Sequence, residues 1–240
     1  MRLPLYFVFL FAVLLLPACG SGDTRPSQEP PSATTAEADG DAETPSDTAG
    51  TTDEIVVMML GDSITAGYGI GEDNAFPALL QARVDSLGWD VRIINAGLSG
   101  ETSAGGLRRI DWLLRERIDV LLIELGGNDG LRGTAPEVTR QNLQGIIDQA
   151  RERYPDVTLI LAGMQVPPNL GLDYTTQFRD LFPDLARENE TALIPFILEG
   201  VGGVPRLNLP DGIHPTAEGH TILAETVWDT LEPILIGMQS

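Results

Sequence analysis

The chain contains no lysine; all 15 of its basic residues are arginine. That absence removes a P-loop lysine, a Schiff-base lysine and a Ser–Lys dyad from its possible chemistry. Cysteine is almost as scarce. Cys19 stands alone, which excludes an intramolecular disulfide and a thiolate metal cluster. With only two histidines, His214 and His220, a histidine-built metal site is also excluded. Neither G-x-G-x-x-G nor G-x-S-x-G occurs, so the dinucleotide fingerprint and the nucleophile elbow of α/β-hydrolases are both missing. Positive charge is in deficit, with a formal net charge of −20. Nine of the 35 acidic residues lie within residues 1–54, leaving about −13 on the rest. Such a surface disfavours nucleic acid as a partner. It fits a high-salt habitat, where screening relieves self-repulsion, and fits a merely soluble acidic surface equally well.

Long apolar runs are lacking too. The longest, residues 3–16, follows Arg2 and has 14 residues, short for a membrane span and suited to the apolar region of an export signal. It leads into Leu16-Pro17-Ala18-Cys19-Gly20. Small residues ending on a cysteine resemble the lipobox of bacterial lipoproteins, although Pro17 is an unusual occupant of its position. The resemblance implies a signal over residues 1–19 and lipidation of Cys19. The chain is then expected to be exported and membrane-anchored, at the periplasmic face or the cell surface. The alternative is an ordinary secretory signal with Cys19 incidental. Residues 20–52 are Ser, Thr, Pro, Gly, Ala, Asp and Glu apart from Arg25 and Gln28, with no aromatics and almost no aliphatics. They bury too little to offset ordering entropy and are expected to form a disordered acidic tether. Residues 53–240 remain for one domain.

In that domain, strand and helix patterns alternate. Ile55-Val56-Val57-Met58-Met59-Leu60 is a continuous apolar run, as expected of a strand covered on both faces. Further strands are expected at residues 91–94, 120–125, 157–161 and 192–194. Helices are expected at 74–87, 102–117, 136–154, 173–189 (interrupted at Pro183) and 216–236. Strict alternation implies five parallel strands with helices on both faces, a three-layer α/β/α sandwich. Ligands in such sheets bind at the carboxyl ends of the strands.

The chemistry-bearing residues fall at those ends. Gly61-Asp62-Ser63 follows the first strand, Ser99-Gly100-Glu101-Thr102 the second, and Gly126-Gly127-Asn128-Asp129-Gly130 the third. Asp211-Gly212-Ile213-His214-Pro215 precedes the last helix. A serine hydroxyl needs an adjacent imidazole to accept its proton, and that imidazole needs a carboxylate to hold its tautomer. Each segment alone reads as a turn or a helix cap; their convergence on one edge points to catalysis. Asp62 and Asp129 are expected to make loop hydrogen bonds, and His220, without a carboxylate of the Asp211 kind, to be an ordinary helix residue.

These four blocks, in this order, resemble the SGNH (GDSL) hydrolase family over residues 55–236. The context of Glu124-Leu125-Gly126-Gly127-Asn128-Asp129-Gly130-Leu131 is similar to its thioesterase I/lysophospholipase L1 branch, which includes arylesterases. The resemblance implies a flavodoxin-like fold and a cofactor-free, metal-free mechanism. It also implies Ser63 as nucleophile, His214 as base and then acid, and Asp211 as the orienting carboxylate. An oxyanion hole would be formed by the N–H groups of Ser63 and Gly100 with the side chain of Asn128. Residues 130–135 resemble a mobile substrate-responsive loop. Gly130 and Leu131 would then face Val166 and Pro167 across an acyl groove; two plain surface loops are the alternative. The expected activity is hydrolysis of single-chain esters (aryl esters, thioesters, lysophospholipids) through an acyl-Ser63 intermediate, by a monomer. A carbohydrate O-deacetylase of the cell envelope and an inactive binding lipoprotein are the rival expectations.

Overall fold

The computed structural model describes residues 54–239; Cys19, the signal and the tether lie outside them. Five parallel strands form one sheet in the order β2-β1-β3-β4-β5. They are β1 (Ile55–Gly61), β2 (Val91–Gly97), β3 (Val120–Glu124), β4 (Thr158–Ala162) and β5 (Ala192–Ile194). Every residue of β1 and β3 is buried, as central strands under helices on both faces require; the one charged residue among them is Glu124, at the end of β3.

The helices are α1 (Phe76–Leu87), α2 (Ser103–Leu113), α3 (Gly127–Leu131), α4 (Pro136–Arg153), α5 (Leu172–Glu188) and α6 (Ala217–Met238). The chain leaves β1 toward β2 and then crosses back to β3. With right-handed crossovers, that reversal puts α1 and α2 on opposite faces. Accordingly α1 packs with α6, while α2 packs with α4 and α4 with α5. The order is that of flavodoxin-like sheets, in which the ligand crevice opens at the β1/β3 reversal.

Four local expectations need correction. The second helix ends at Leu113 rather than 117, because Arg115 and Glu116 donate to Trp112 and Leu113, tightening the last turn to i−3 bonds. The fifth helix is not interrupted. It runs through Pro183, held by its buried face of Phe178, Leu181, Phe182, Leu185 and Ala186. The Gly-Gly-Asn-Asp-Gly segment is not an open turn; Gly127 to Leu131 form the short helix α3. Finally, α1 begins at Phe76, after a 3₁₀ turn at Glu72–Asn74.

The start of α1 also gives His220 a role. The residue before α1, Ala75, offers no side-chain cap. Instead the Phe76 N–H donates to Nδ1 of His220 at 3.1 Å, across 144 residues, and the two rings stack. His220 is 1% exposed, and burial lowers its pKa to about 4, so the neutral ring is the acceptor α1 needs.

Candidate active site

The turn after β1 is built by its own backbone. Ala66 N–H donates to Asp62 C=O at 3.0 Å and Tyr68 N–H to Ser63 C=O at 3.0 Å. Neither the Ser63 N–H nor the Gly100 N–H donates to another group among the described residues. Gly97, at the end of β2, lies so close that a Cβ there would meet Ala66 N at 2.3 Å. Only glycine allows this approach.

The loop before α6 is a closed hairpin. Leu209 N–H donates to His214 C=O at 2.7 Å, and Asn208 bridges Pro215. Gly212 takes a positive φ of 72° at its tip. Asp211 locks the loop from within, its Oδ1 accepting from Ile213 N–H at 2.9 Å and His214 N–H at 3.0 Å. Its other oxygen, Oδ2, lies 2.7 Å from His214 Nδ1. The imidazole hydrogen bond, then the two backbone donors, hold the Asp211 pKa down at about 2.

The far nitrogen of that ring, Nε2, lies 2.9 Å from Ser63 Oγ, across 151 residues. Carboxylate, imidazole and hydroxyl therefore stand in line. With the proton fixed on Nδ1 by Asp211, Nε2 is an acceptor aimed at the Ser63 hydroxyl. Such a set can activate an alcohol for attack on a carbonyl. The structure thus brings together Ser63, Asp211 and His214 as the sequence pattern predicts.

Asn128 sits in the first turn of α3, and its Nδ2 donates to Asp62 Oδ2 at 3.0 Å. An amide NH₂ has two hydrogens, so this bond orients the group and leaves a second donor. Asp62 is 2% exposed, and its Oδ1 accepts from Ile64 N–H at 2.9 Å. Burial outweighs these bonds and pushes its pKa up to about 6. Asp129 is also a structural carboxylate, accepting from Ser103 N–H at 2.8 Å and Ser103 Oγ at 2.5 Å. It ties α3 to the start of α2.

Gly100, at φ 80°, is held from two directions. Arg132 donates to its carbonyl at 3.2 Å. Next to it, Glu101 is buried and paired with Arg109, whose Nη2 also donates to Ala96 C=O at 2.6 Å. The expected groove is only partly as drawn. Leu131 is exposed, but Gly130 is buried against Val166 and Phe178, and a Cβ there would meet Val166 Cγ1 at 2.1 Å. Gly130 and Val166 are thus in contact rather than on facing walls. Pro167 is exposed.

Two neighbours of the site escape pattern reading. Tyr68 packs its ring against that of His214, tilted by 40° with centroids 4.4 Å apart; its place at the end of the Ser63 turn is the only sequence signal. Glu124, the last residue of β3, is wholly buried beneath the turn. A lone charge ending an apolar strand is a signal that could have marked it.

The chain matches the family model of the GDSL-like Lipase/Acylhydrolase family over residues 59–222. It is 46% identical over 180 residues to Esterase TesA of Pseudomonas aeruginosa, covering 75% of this chain and 89% of the relative. It is 36% identical to Thioesterase 1/protease 1/lysophospholipase L1 of Escherichia coli, over 75% of this chain and 84% of that one. Among solved structures, it resembles the psychrotrophic esterase EstA from Pseudoalteromonas sp., inhibited by monoethylphosphonate. The TM-score is 0.72 at 31% identity, over 76% of this chain and 99% of the other. The chain therefore belongs to the GDSL-like lipase/acylhydrolase family and is an ester hydrolase.

Proposed function

We propose that the protein hydrolyses single-chain carboxylic esters through an acyl-Ser63 intermediate. Ser63 Oγ attacks the carbonyl carbon while His214 Nε2 takes its proton. Collapse of the tetrahedral adduct expels the alcohol or thiol, which carries that proton away. A water then repeats the sequence on the acyl-enzyme, releasing the acid. Asp211 holds the tautomer and stabilises the imidazolium. The Ser63 and Gly100 N–H groups and the second hydrogen of Asn128 receive the developing oxyanion. The observation that carries the reading is the line from Asp211 to His214 to Ser63, at 2.7 and 2.9 Å.

Aryl esters, acyl thioesters and lysophospholipids are the proposed substrates. Support comes from the names of the relatives and from exposed apolar Leu131, Leu170 and Leu172 on the segments following β3 and β4. Hydrolysis of p-nitrophenyl esters from acetate to palmitate, with and without Ser63→Ala, tests this. Turnover that persists in Ser63→Ala overturns the mechanism, and turnover of acetate alone moves the substrate to O-acetylated carbohydrate. We further propose that Cys19 carries a lipid anchor. Labelling by palmitate in cells, lost in Cys19→Ala, tests it.

A further inference from the structure

Glu124 takes no part in the mechanism above, yet it lies directly under it. Its side chain is fully buried at the end of β3, in register with Gly61 at the end of β1. Its Oε2 accepts from Thr65 Oγ1 at 2.7 Å and from Asp62 N–H at 3.2 Å. Those two residues flank Ser63-Ile64. The contact depends on Gly61, where a Cβ would lie 1.9 Å from Thr65 Oγ1 and 2.6 Å from Glu124 Oε2. Two residues beyond Glu124 the chain turns at Gly126 (φ 122°) into α3, which carries Asn128. One buried carboxyl thus joins the strand leading to Asn128 to the turn carrying Ser63. Asp62 closes the loop by accepting from Asn128.

We propose that Glu124 is a positioning residue for the Ser63 reaction: by anchoring both flanks of the nucleophile turn to the end of β3, it sets Ser63 against Asn128 and His214. This rests on the ester-hydrolase reading of Ser63. The side chain acts as a neutral acid. Its Oε1 has no hydrogen-bond partner among the described residues. An ionised oxygen left unpaired in a dry interior is far costlier than a neutral one. Burial and the neighbouring Asp62 carboxyl accordingly push its proton affinity well above the carboxylate range. A neutral acid keeps the anchoring acceptor and adds no negative charge beneath a site where an oxyanion must form.

The experiment compares Glu124→Leu, Glu124→Gln and Thr65→Val with the native protein on p-nitrophenyl butyrate. Values of kcat are normalised to sites titrated to completion by an organophosphonate, so misfolded molecules are not counted. Misplacement of the turn in Glu124→Leu is expected to lower kcat about 10²-fold, with KM within about threefold and phosphonylation of Ser63 slowed in parallel. Glu124→Gln retains an acceptor oxygen and is expected to recover most of that loss. Thr65→Val removes one of the two anchoring donors and is expected to lower kcat about three- to tenfold.

The proposal is overturned if kcat of Glu124→Leu stays within twofold of native, or if the change falls on KM. It is overturned equally if Glu124→Gln is as impaired as Glu124→Leu, which would assign the role to charge. Should Glu124→Leu yield no titratable sites, Thr65→Val decides: a kcat within twofold of native, or a change confined to KM, overturns the proposal. A native protein inactive on every ester would instead overturn the esterase reading, before any variant is compared.

Discussion

The two histidines lie six positions apart, one in the hairpin before α6 and one in its first turns, yet they do opposite things. His214 sits on an exposed hairpin with a carboxylate on one nitrogen and the Ser63 hydroxyl on the other. His220 is buried, with a backbone N–H on Nδ1 and Phe76 against its ring. In the proposed mechanism the first ring passes a proton from one partner to the next. The second is an acceptor that must not take one. Surroundings rather than residue type set the role. A carboxylate stabilises the imidazolium, whereas desolvation penalises it.

Activity separates the two most strongly. His214→Ala should lower kcat about 10⁴-fold or more, as loss of a general base does in such a set. His220→Gln should leave kcat within about threefold. Ester hydrolysis by both variants is the check, and comparable losses would break the contrast. Next, Asn128→Ala should cost about 10²–10³ in kcat with little change in KM, the typical effect of removing one oxyanion donor. A change confined to KM would show that Asn128 only binds substrate.

The third prediction reverses the contrast, since stability should follow His220. Its folded pKa of about 4 lies below the ordinary 6.5, so below pH 6.5 the unfolded chain takes up a proton that the native state refuses. The contribution is fully present above pH 6.5 and is lost as pH falls toward 4, by about 3 kcal/mol in all. Asp62 and Glu124 work the other way. Their raised folded pKa values disfavour the fold at neutral pH, and that cost fades as pH falls through the folded values. The His220 contribution therefore shows as the difference between the native protein and a His220 variant. Urea unfolding at pH 7 and pH 4.5 should show native protein losing more stability than His220→Gln. Parallel losses would remove the assigned role.

The smallest effect sharpens the His214 side. Tyr68→Ala removes the ring packed 4.4 Å from the imidazole and should lower kcat by about two- to tenfold, the value of one aromatic contact. Unchanged rates at all pH values would make Tyr68 a rim residue only.

Some of this was legible in one dimension. Local composition marks β1 as a doubly covered strand because burial on both faces demands an unbroken apolar run. Alternation with helices implies parallel strands, since a parallel connection needs a crossover. Ser63, Asp211 and His214 were legible because their neighbours are glycines and turn formers, which local backbone geometry requires. Asp211 even builds its own loop through bonds two and three residues away. The short helix at Gly127–Leu131 was not legible, because three glycines flank or occupy it and glycine disfavours helix by propensity. Tertiary bonds, including Asp129 to Ser103, hold it instead.

Residue order alone is enough for the alternating fold class, for excluding lysine chemistry, an intramolecular disulfide and a thiolate metal cluster, and for naming the residues able to form a proton-transfer line. Each follows from local periodicity, turn chemistry or simple absence. The strand order, the pairing of His220 with Phe76, the contact of Gly130 with Val166 and the place of Glu124 beneath Ser63 emerge only once the chain is folded. Those depend on which distant groups share a desolvated space. The cost of leaving a buried polar group unpaired is settled by neighbours as far as 144 and 151 residues away, beyond the reach of any local pattern.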